Sequence, residues 1–242
     1  MHISPDLLFT IADFPITNTV VTTLITDIIL IILVLIVGKS VALKPGKVQN
    51  IIEAISDFFR KTTENIDEKR ASFIYPWVLS FFLFIVISNL VPQVPGFESI
   101  RFYTFFSGHH GVALFRAATS DLNLTLALAV TSVVATHCLS IKQTGIKSYV
   151  MRFITFKMFP VFLFVGILEF VNEFPKFISF SFRLFGNIFA GENVIATMYS
   201  LCPLVLPLPF IGLELMIAII QAIVFAMLTM TSMHIMTDKH TK

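Results

Sequence analysis

Charged residues are scarce in this chain, and cysteine is nearly absent. Lys, Arg, Asp and Glu make up 13% of the 242 residues, whereas soluble domains contain about 25%. These few polar side chains cannot cover a water-facing surface, which argues against a soluble globular protein. The two cysteines, Cys138 and Cys202, occur singly on apolar segments without the spacing of a metal or redox site, and we interpret them as packing residues.

Sequence patterns that bind phosphate, metals or haem are also missing. The chain has no Gly-rich loop of the kind that cradles a phosphate. The adjacent pair His109 and His110 has no third ligand nearby, and we interpret it as a loop feature. Only His137 and His234 lie on apolar segments, each near an end, so a haem-bearing or respiratory-complex subunit is a weak alternative. The sequence therefore predicts no cofactor, no metal site and no catalytic residue.

Hydrophobic residues, by contrast, make up 56% of the chain, and phenylalanine occurs 27 times. This composition predicts an all-α integral membrane protein with several spanning helices. The apolar runs predict spanning helices at 20–37, 73–91 and 119–139, and two longer helices at 155–201 and 210–236. Segment 38–72 interleaves Lys and Arg with acids and repeats apolar residues at helical spacing, which predicts an amphipathic helix in the membrane interface.

Positive charge concentrates in segments 38–72 and 140–154 and in the C-terminal tail. The positive-inside rule places these three parts in the cytoplasm, and the N-terminal segment 1–19 and the loop 92–118 outside. This topology requires that 155–201 cross only once, which makes five crossings plus the interfacial helix. The last helix is about 40 Å long against a hydrocarbon core of about 30 Å. We therefore expect the last two helices to form a strongly tilted hairpin within a single membrane domain.

The start of the third predicted span is polar. Ser120 is a plausible N-cap, which would place Asp121 and Asn123 in the first helical turn. Four polar residues fall on one stripe of this helix: Asp121, Thr125, Ser132 and Thr136. We interpret the hydroxyl groups of this stripe as packing contacts between helices.

Ionisable and amide residues also occur inside the two long apolar helices. Measured around the helix from Arg183 at about 100° per residue, Asn187 and Glu169 lie about 40° away, Glu173 about 80° and Glu192 about 180°. On the last helix, Glu214, Gln221 and Ser232 lie within about 20° of one another. One face of the long helix thus presents a cation with polar neighbours, and the opposite face presents a carboxylate.

Charged groups within a membrane face a bundle interior, a water-filled cavity or a partner. A buried carboxylate can take and release protons near the working pH, whereas an arginine stays protonated and acts as a fixed charge. Arg183 could also pair with Glu169 or Glu173 and only set the helix register. However, no acid lies three or four residues from Arg183, which suggests a partner on another subunit.

The run RLFGNIFAGE at 183–192 resembles the signature helix of subunit a of the rotary F-type ATP synthase. Four further runs share the resemblance: FPITNT at 14–19, SNLVPQVPGF at 88–97, SDLNLTLALA at 120–129 and IIQAIVFAMLT at 219–229. Together they extend over nearly the whole chain.

The resemblance implies a role for each matching residue. Arg183 would be the essential arginine that faces the ring of c subunits and separates two offset aqueous half-channels. The other positions implied are Asn187 and Glu192 near the outer half-channel, Glu214 and Gln221 on the last helix, Glu169 near the inner half-channel, and Asp121 and Asn123 after the outer loop. Glu173 remains an alternative inner-side acid, and the position of Glu214 is histidine in some members.

The resemblance further implies a proton-translocating stator that couples proton flow to ATP synthesis, with the ATP chemistry on other subunits. Its expected partners are the c-subunit ring, the peripheral-stalk b subunits and the lipid bilayer, with protons as the only small substrate and no nucleic acid. The expected location is the inner membrane of a bacterial cell, or alternatively the mitochondrial inner membrane. An ion-coupled secondary transporter that uses the buried Arg and Glu groups remains the alternative, although the internal repeats typical of that class are not found.

Overall fold

Long α-helices account for most of the chain in the computed structural model. The described residues are 7–11, 14–39, 46–94, 101–102, 112–146, 149, 171, 173–203 and 205–237. The helices are α1 (Asn18–Lys39), α2 (Lys47–Ile66), α3 (Ala71–Leu90), α4 (Leu122–Thr144), α5 (Glu173–Leu201) and α6 (Pro207–Thr237). Within these ranges, α1, α3, α4 and α6 are long and apolar enough to cross a membrane.

Several of the predicted apolar segments coincide with helices of the structure. The predicted spans 20–37 and 73–91 correspond to α1 and α3, which begin two residues earlier in each case. The last helix begins at Pro207, before the predicted start at Phe210, because proline is tolerated in the first turn, where its missing N–H is not needed. Of the predicted helix 155–201, the structure describes the part that forms α5, and residues 155–170 lie outside the described residues.

The start of α4 corrects one prediction. Ser120 is not the N-cap: it ends a short 3₁₀ helix, Ala118–Ser120, and α4 begins at Leu122. Asp121 is the N-cap instead, and its Oδ1 accepts a hydrogen bond from the Asn123 backbone N–H at 2.9 Å. Its Oδ2 accepts a second hydrogen bond from Thr19 Oγ1 at 3.0 Å, which connects α4 to α1. The Asp121 carboxylate is a better cap here than the Ser120 hydroxyl, because its two oxygens accept both hydrogen bonds at once.

Short strands occur outside the helices and were not predicted. Strands β1 (Leu7–Ile11) and β2 (Phe14–Thr17) pair antiparallel just before α1, and β3 (Arg101–Phe102) pairs with β4 (Val112–Ala113) in the loop before α4. Both pairings are too short to show a clear alternating pattern in the sequence.

The core lies around α3, which packs most extensively against α6. Ile74, Val78, Phe81 and Ile85 recur at helical spacing on the buried face of α3. The Phe81 ring lies 5.6 Å from the Phe225 ring of α6, and the amphipathic helix α2 adds Phe59, whose ring lies 4.7 Å from Phe82. By contrast, α1 is largely exposed along its length, as expected of a helix that faces lipid.

Two of the three hydroxyl groups on the polar stripe of α4 contact neighbouring helices, as predicted, whereas Thr136 donates to the Ser132 carbonyl of α4 itself. Thr125 shares a hydrogen bond with Ser181 of α5 at 3.1 Å, and Ser132 shares one with Thr229 of α6 at 2.9 Å. Near the other end of α4, Ser140 Oγ donates to the Met236 carbonyl at 2.6 Å. The two contacts with α6 show that α4 runs parallel to α6.

We expect Asp121→Ala to lower the stability of the folded subunit, because the change removes both the cap of α4 and the contact with Thr19. Loss of an N-cap typically costs about 1 kcal/mol. The thermal inactivation midpoint of the detergent-solubilised complex should fall, whereas it should not fall in Thr131→Ala, which changes an exposed hydroxyl on the same helix. Equal midpoints for the two variants would contradict this role.

Candidate functional site

The candidate site lies along the antiparallel pair of helices α5 and α6. Gly191 of α5 packs against Glu214 of α6, so that a Cβ at Gly191 would lie 3.3 Å from Glu214 Oε1. About two turns nearer the start of α5, Arg183 lines one cleft together with Gln221 of α6. The register of the pair therefore places the polar residues of α6 opposite those of α5.

Arg183 lies on an exposed face of α5, next to the exposed Phe182. Phe180 and Leu184 pack into the protein, and the Phe180 ring lies 5.6 Å from Phe225. The guanidinium Nη2 of Arg183 donates a hydrogen bond to Ser179 Oγ at 3.2 Å, as the predicted shared face requires. Among the side chains that the structure describes, no carboxylate forms an ion pair with Arg183. Asn187, one turn further along, is also exposed.

The cleft beside Arg183 is mainly apolar. Its lining residues are Phe180, Arg183, Leu184, Gln221, Val224, Phe225 and Leu228. Gln221 is partly buried there, and it is the amide that the sequence predicted on the polar stripe of the last helix. The cleft thus brings one fixed cation and one amide together at the surface of the α5–α6 pair.

Glu192 lies on the opposite face of α5 and is only 8% exposed. It does not contact Arg183, as the helical angles predicted, but it pairs with a different arginine. The distance from Arg116 Nε to Glu192 Oε2 is 3.5 Å, and the same Nε donates a hydrogen bond to Ser120 Oγ at 3.0 Å. Arg116 is 7% exposed, so both members of this ion pair are buried.

The sequence analysis missed Arg116 because it treated residues 92–118 as an outer loop. One signal was present in the sequence: Arg116 stands within the largely apolar run LFRAAT at 114–119. Its pairing with Glu192 joins the segment before α4 to the second half of α5. The Arg116 backbone N–H also donates to Thr22 Oγ1 of α1 at 3.3 Å, so that three parts of the chain meet at this residue.

Glu214 is 5% exposed and lies next to the backbone of α5. Its side-chain atoms Cγ, Cδ and Oε1 are the nearest atoms to the position of a Cβ on Gly191. Glycine at position 191 therefore leaves the room that the Glu214 side chain occupies. Since Glu192 follows Gly191 directly, the two buried acids approach the same region of the α5–α6 pair from facing helices.

We expect Gly191→Val to displace the Glu214 side chain, because even the first added carbon would press on Oε1. From the resemblance, which implies that Glu214 lies on the proton path, we expect proton-driven ATP synthesis to fall by about tenfold or more, since misplacement of a reacting group by about 1 Å can cost about 10²-fold. Gly212→Ala on α6 is the matched control, because a Cβ there meets nothing within 4 Å. An unchanged rate in Gly191→Val would show that the position of Glu214 is unimportant.

The remaining predicted site residues differ in what the structure places around them. Asp121 is buried as the cap of α4, whereas the Asn123 side chain is exposed. Glu169 lies outside the described residues, and Glu173 is the first residue of α5 but its side chain also lies outside them. In the described part of the chain, no three His, Cys, Asp or Glu side chains are grouped as a metal site would require.

The polar side chains therefore form two groups, one at the surface of the α5–α6 pair and one buried on the opposite side of α5. Arg183, Asn187 and Gln221 lie at or near the exposed face, and Arg116, Glu192 and Glu214 are buried. Along the helix axis, Arg183 and Glu192 are separated by about 14 Å. The exposed cation can meet an anionic partner, whereas the buried acids face the interior of the protein.

Comparison with known proteins shows the family to which the chain belongs. The family described as ATP synthase A chain matches residues 20–234 of the chain. A relative named ATP synthase subunit a from Moorella thermoacetica is 31% identical over 230 residues, which cover 95% of each chain. A second protein of the same name, from Geotalea daltonii, is 32% identical over 205 residues, covering 84% of this chain and 80% of that one. With four apolar helices and a family match over most of its length, this multi-pass membrane protein belongs to the ATP synthase A chain family.

Proposed function

We propose that this chain is the proton-translocating stator subunit in the membrane sector of an F-type ATP synthase. It provides two offset aqueous half-channels that pass protons to and from carboxylates on a rotating ring of c subunits. Membership of the family supports the proton-translocating role. The observation that carries the finer proposal is the exposed side chain of Arg183, which lies beside the buried Phe180 and Leu184 and forms no ion pair with a described carboxylate.

The position of Arg183 favours a partner outside this chain. An arginine at the centre of a bilayer helix costs about 2.5–3.5 kcal/mol on insertion scales, so a position facing lipid alone would be unfavourable. A carboxylate on a neighbouring subunit offsets that cost. Because arginine stays protonated, it cannot pass a proton on, and it keeps a nearby carboxylate ionised. Arg183 would therefore separate the two half-channels by charge.

The buried acids supply the outer half-channel. A proton from outside reaches the region of Glu192 and Glu214, with Asp121 and Asn123 at the start of α4 as further polar groups on the way. Asn187 and Gln221 lie between this region and the exposed face of α5. The proton then neutralises a c-subunit carboxylate, which allows the ring to turn that site towards lipid.

The inner half-channel receives the proton after the ring has turned. On its return to Arg183, the c-subunit carboxylate loses its proton because the guanidinium favours the ionised form. The released proton leaves on the cytoplasmic side past Glu169 or Glu173. This chain forms and breaks no covalent bond, and the ATP chemistry takes place on other subunits.

The proposed topology has five crossings plus α2 in the membrane interface. Four of the crossings are the apolar helices α1, α3, α4 and α6. We assign the fifth to α5, because it packs beside α6 from Phe180 to Gly191, a length of about 16 Å. Polar residues make α5 less apolar than the others, and these are the residues that the site uses. The basic segments place the C-terminus in the cytoplasm of a bacterial cell and the N-terminus outside.

The test of the proposal is Arg183→Ala in the reconstituted complex, with ATP synthesis driven by a proton gradient as the measurement. Peripheral-stalk b subunits and the c ring complete the complex in which this test is made.

A further inference from the structure

We propose that Arg116 is a second functional arginine, a positioning residue that holds the Glu192 carboxylate in the outer half-channel. This inference rests on the proposed function, because it assigns to Arg116 a task within the same proton path. Arg183 acts at the exposed face of α5, whereas Arg116 acts about two and a half turns along the helix on its buried face. Arg116 therefore has its carboxylate partner within this chain, whereas the proposed partner of Arg183 is a carboxylate of the c ring.

Two hydrogen bonds hold Arg116 in place, in addition to its ion pair with Glu192. Ser120 Oγ accepts a hydrogen bond from Nε at 3.0 Å, and Thr22 Oγ1 accepts one from the Arg116 backbone N–H at 3.3 Å. The adjacent residue Ala117 packs with Ile188 and Ala218, which places this segment directly against α5 and α6. Glu192 thus meets a cation that α1, the 3₁₀ turn and the α5–α6 pair together hold in place.

Burial makes this pair different from an ordinary ion pair at a surface. Removing one partner of a buried pair leaves an uncompensated charge, which is strongly destabilising, whereas exposed pairs contribute little. Arg60 and Glu64 on α2 are such an exposed pair, with N–O separation of 3.0 Å and side chains 62% and 40% exposed. The same two residue types thus occur once where their charges are desolvated and once where they are not.

The ion pair between Arg116 and Glu192 also bears on Glu214, because Gly191 lies between the two acids. Glu214 packs against the backbone of Gly191, the residue that directly precedes Glu192. Arg116 holds the Glu192 carboxylate near the 3₁₀ turn. Without Arg116, Glu192 would lose its fixed orientation beside Glu214, and proton transfer between water and the α5–α6 pair would slow.

The test uses the complete ATP synthase complex, purified with each variant of this chain and reconstituted into proteoliposomes. The variants are Arg116→Gln, Arg116→Lys, Glu192→Gln, the double variant Arg116→Gln with Glu192→Gln, and Arg60→Gln as the matched control. Proton-driven ATP synthesis is measured, and immunoblotting measures how much of the chain is present in the complex.

We expect Arg116→Gln to slow synthesis by about tenfold, which corresponds to a typical coupling between contacting groups. Arg116→Lys keeps the charge and should remain within about threefold of the unaltered complex. The double variant should be at most about twofold slower than Glu192→Gln, because Arg116 has nothing to position once the carboxylate is gone. Arg60→Gln should have the unaltered rate.

Several results would overturn the inference. They are an unaltered rate in Arg116→Gln, losses that multiply in the double variant, and an Arg116→Lys variant as slow as Arg116→Gln. If Arg116→Gln fails to assemble, recovery of assembly in the neutral double variant supports the pairing, and continued failure contradicts it. An unaltered rate in Glu192→Gln contradicts the assignment of Glu192 to the proton path, whereas a slow Glu192→Gln with an unaltered Arg116→Gln contradicts only the role of Arg116.

Discussion

Arg183→Ala is expected to abolish proton-driven ATP synthesis while the chain remains inserted in the membrane. The guanidinium lies on an exposed face of α5, and its one hydrogen bond to a described side chain is to Ser179, so its loss should disturb the fold little. Its charge, however, is the element that would hold a c-subunit carboxylate ionised between the half-channels. Removal of a preorganised electrostatic group in an active site costs about 10²–10³ in rate, and we expect a fall of at least that size.

The control for Arg183→Ala is Arg60→Ala, which removes an exposed arginine from the amphipathic helix α2. The pKa of Arg60 is raised above its usual value, chiefly by the side-chain hydrogen bond with Glu64 and next by the negative charge of Glu64. Each replacement removes one arginine side chain, so the comparison tests whether its position in the chain determines the effect. Normal coupled synthesis by the Arg183→Ala complex would contradict the proposed function.

The second large effect is expected when Glu192 and Glu214 are replaced together by glutamine. Glutamine keeps the size of each side chain and its hydrogen-bonding capacity, but it cannot take up and release a proton. Groups that transfer protons typically contribute about 10²–10⁴-fold, so proton flux through the membrane sector should fall by at least about 10²-fold. Flux is measured as the decay of a pH gradient in proteoliposomes that contain the complex.

Each single replacement should lower the flux less than the double one, because the two buried acids approach the same region. Glu53→Gln is the matched control, since Glu53 is an exposed acid on α2 that accepts a hydrogen bond from Gln49 at 2.7 Å. The amount of inserted chain must be compared as well, because the double replacement leaves Arg116 buried without its carboxylate partner. Undiminished flux with normal insertion would remove both acids from the proton path.

Features that repeat within one segment were predictable from the sequence. The apolar runs of α1, α3 and α6 predicted helices to within about three residues, since a long apolar stretch in a charge-poor chain has few other stable conformations. The opposite placement of Arg183 and Glu192 followed from the helical period alone. The shared face of Arg183 and Ser179, and the interhelical use of the α4 hydroxyls, also followed from periodicity.

Features that join distant segments were not predictable in this way. Ser120 and Asp121 are both good capping residues, and only the contact of Asp121 with Thr19 of α1 shows why the carboxylate takes the role. The strands β1 and β2 were missed because so short a pairing leaves no clear periodic signal. The fifth crossing and the inner-side acid, Glu169 or Glu173, stay predictions.

The sequence by itself determined the class of protein, the helices and the faces on which Arg183 and Glu192 lie, because these depend on composition and on a local period of 3.6 residues. It also carried the family resemblance, which the comparisons confirmed. Only the tertiary structure decided that Glu192 pairs with Arg116 and that Glu214 rests on Gly191. Both contacts depend on how separate helices pack, and no periodic pattern in a single segment encodes which distant residue a buried charge will meet.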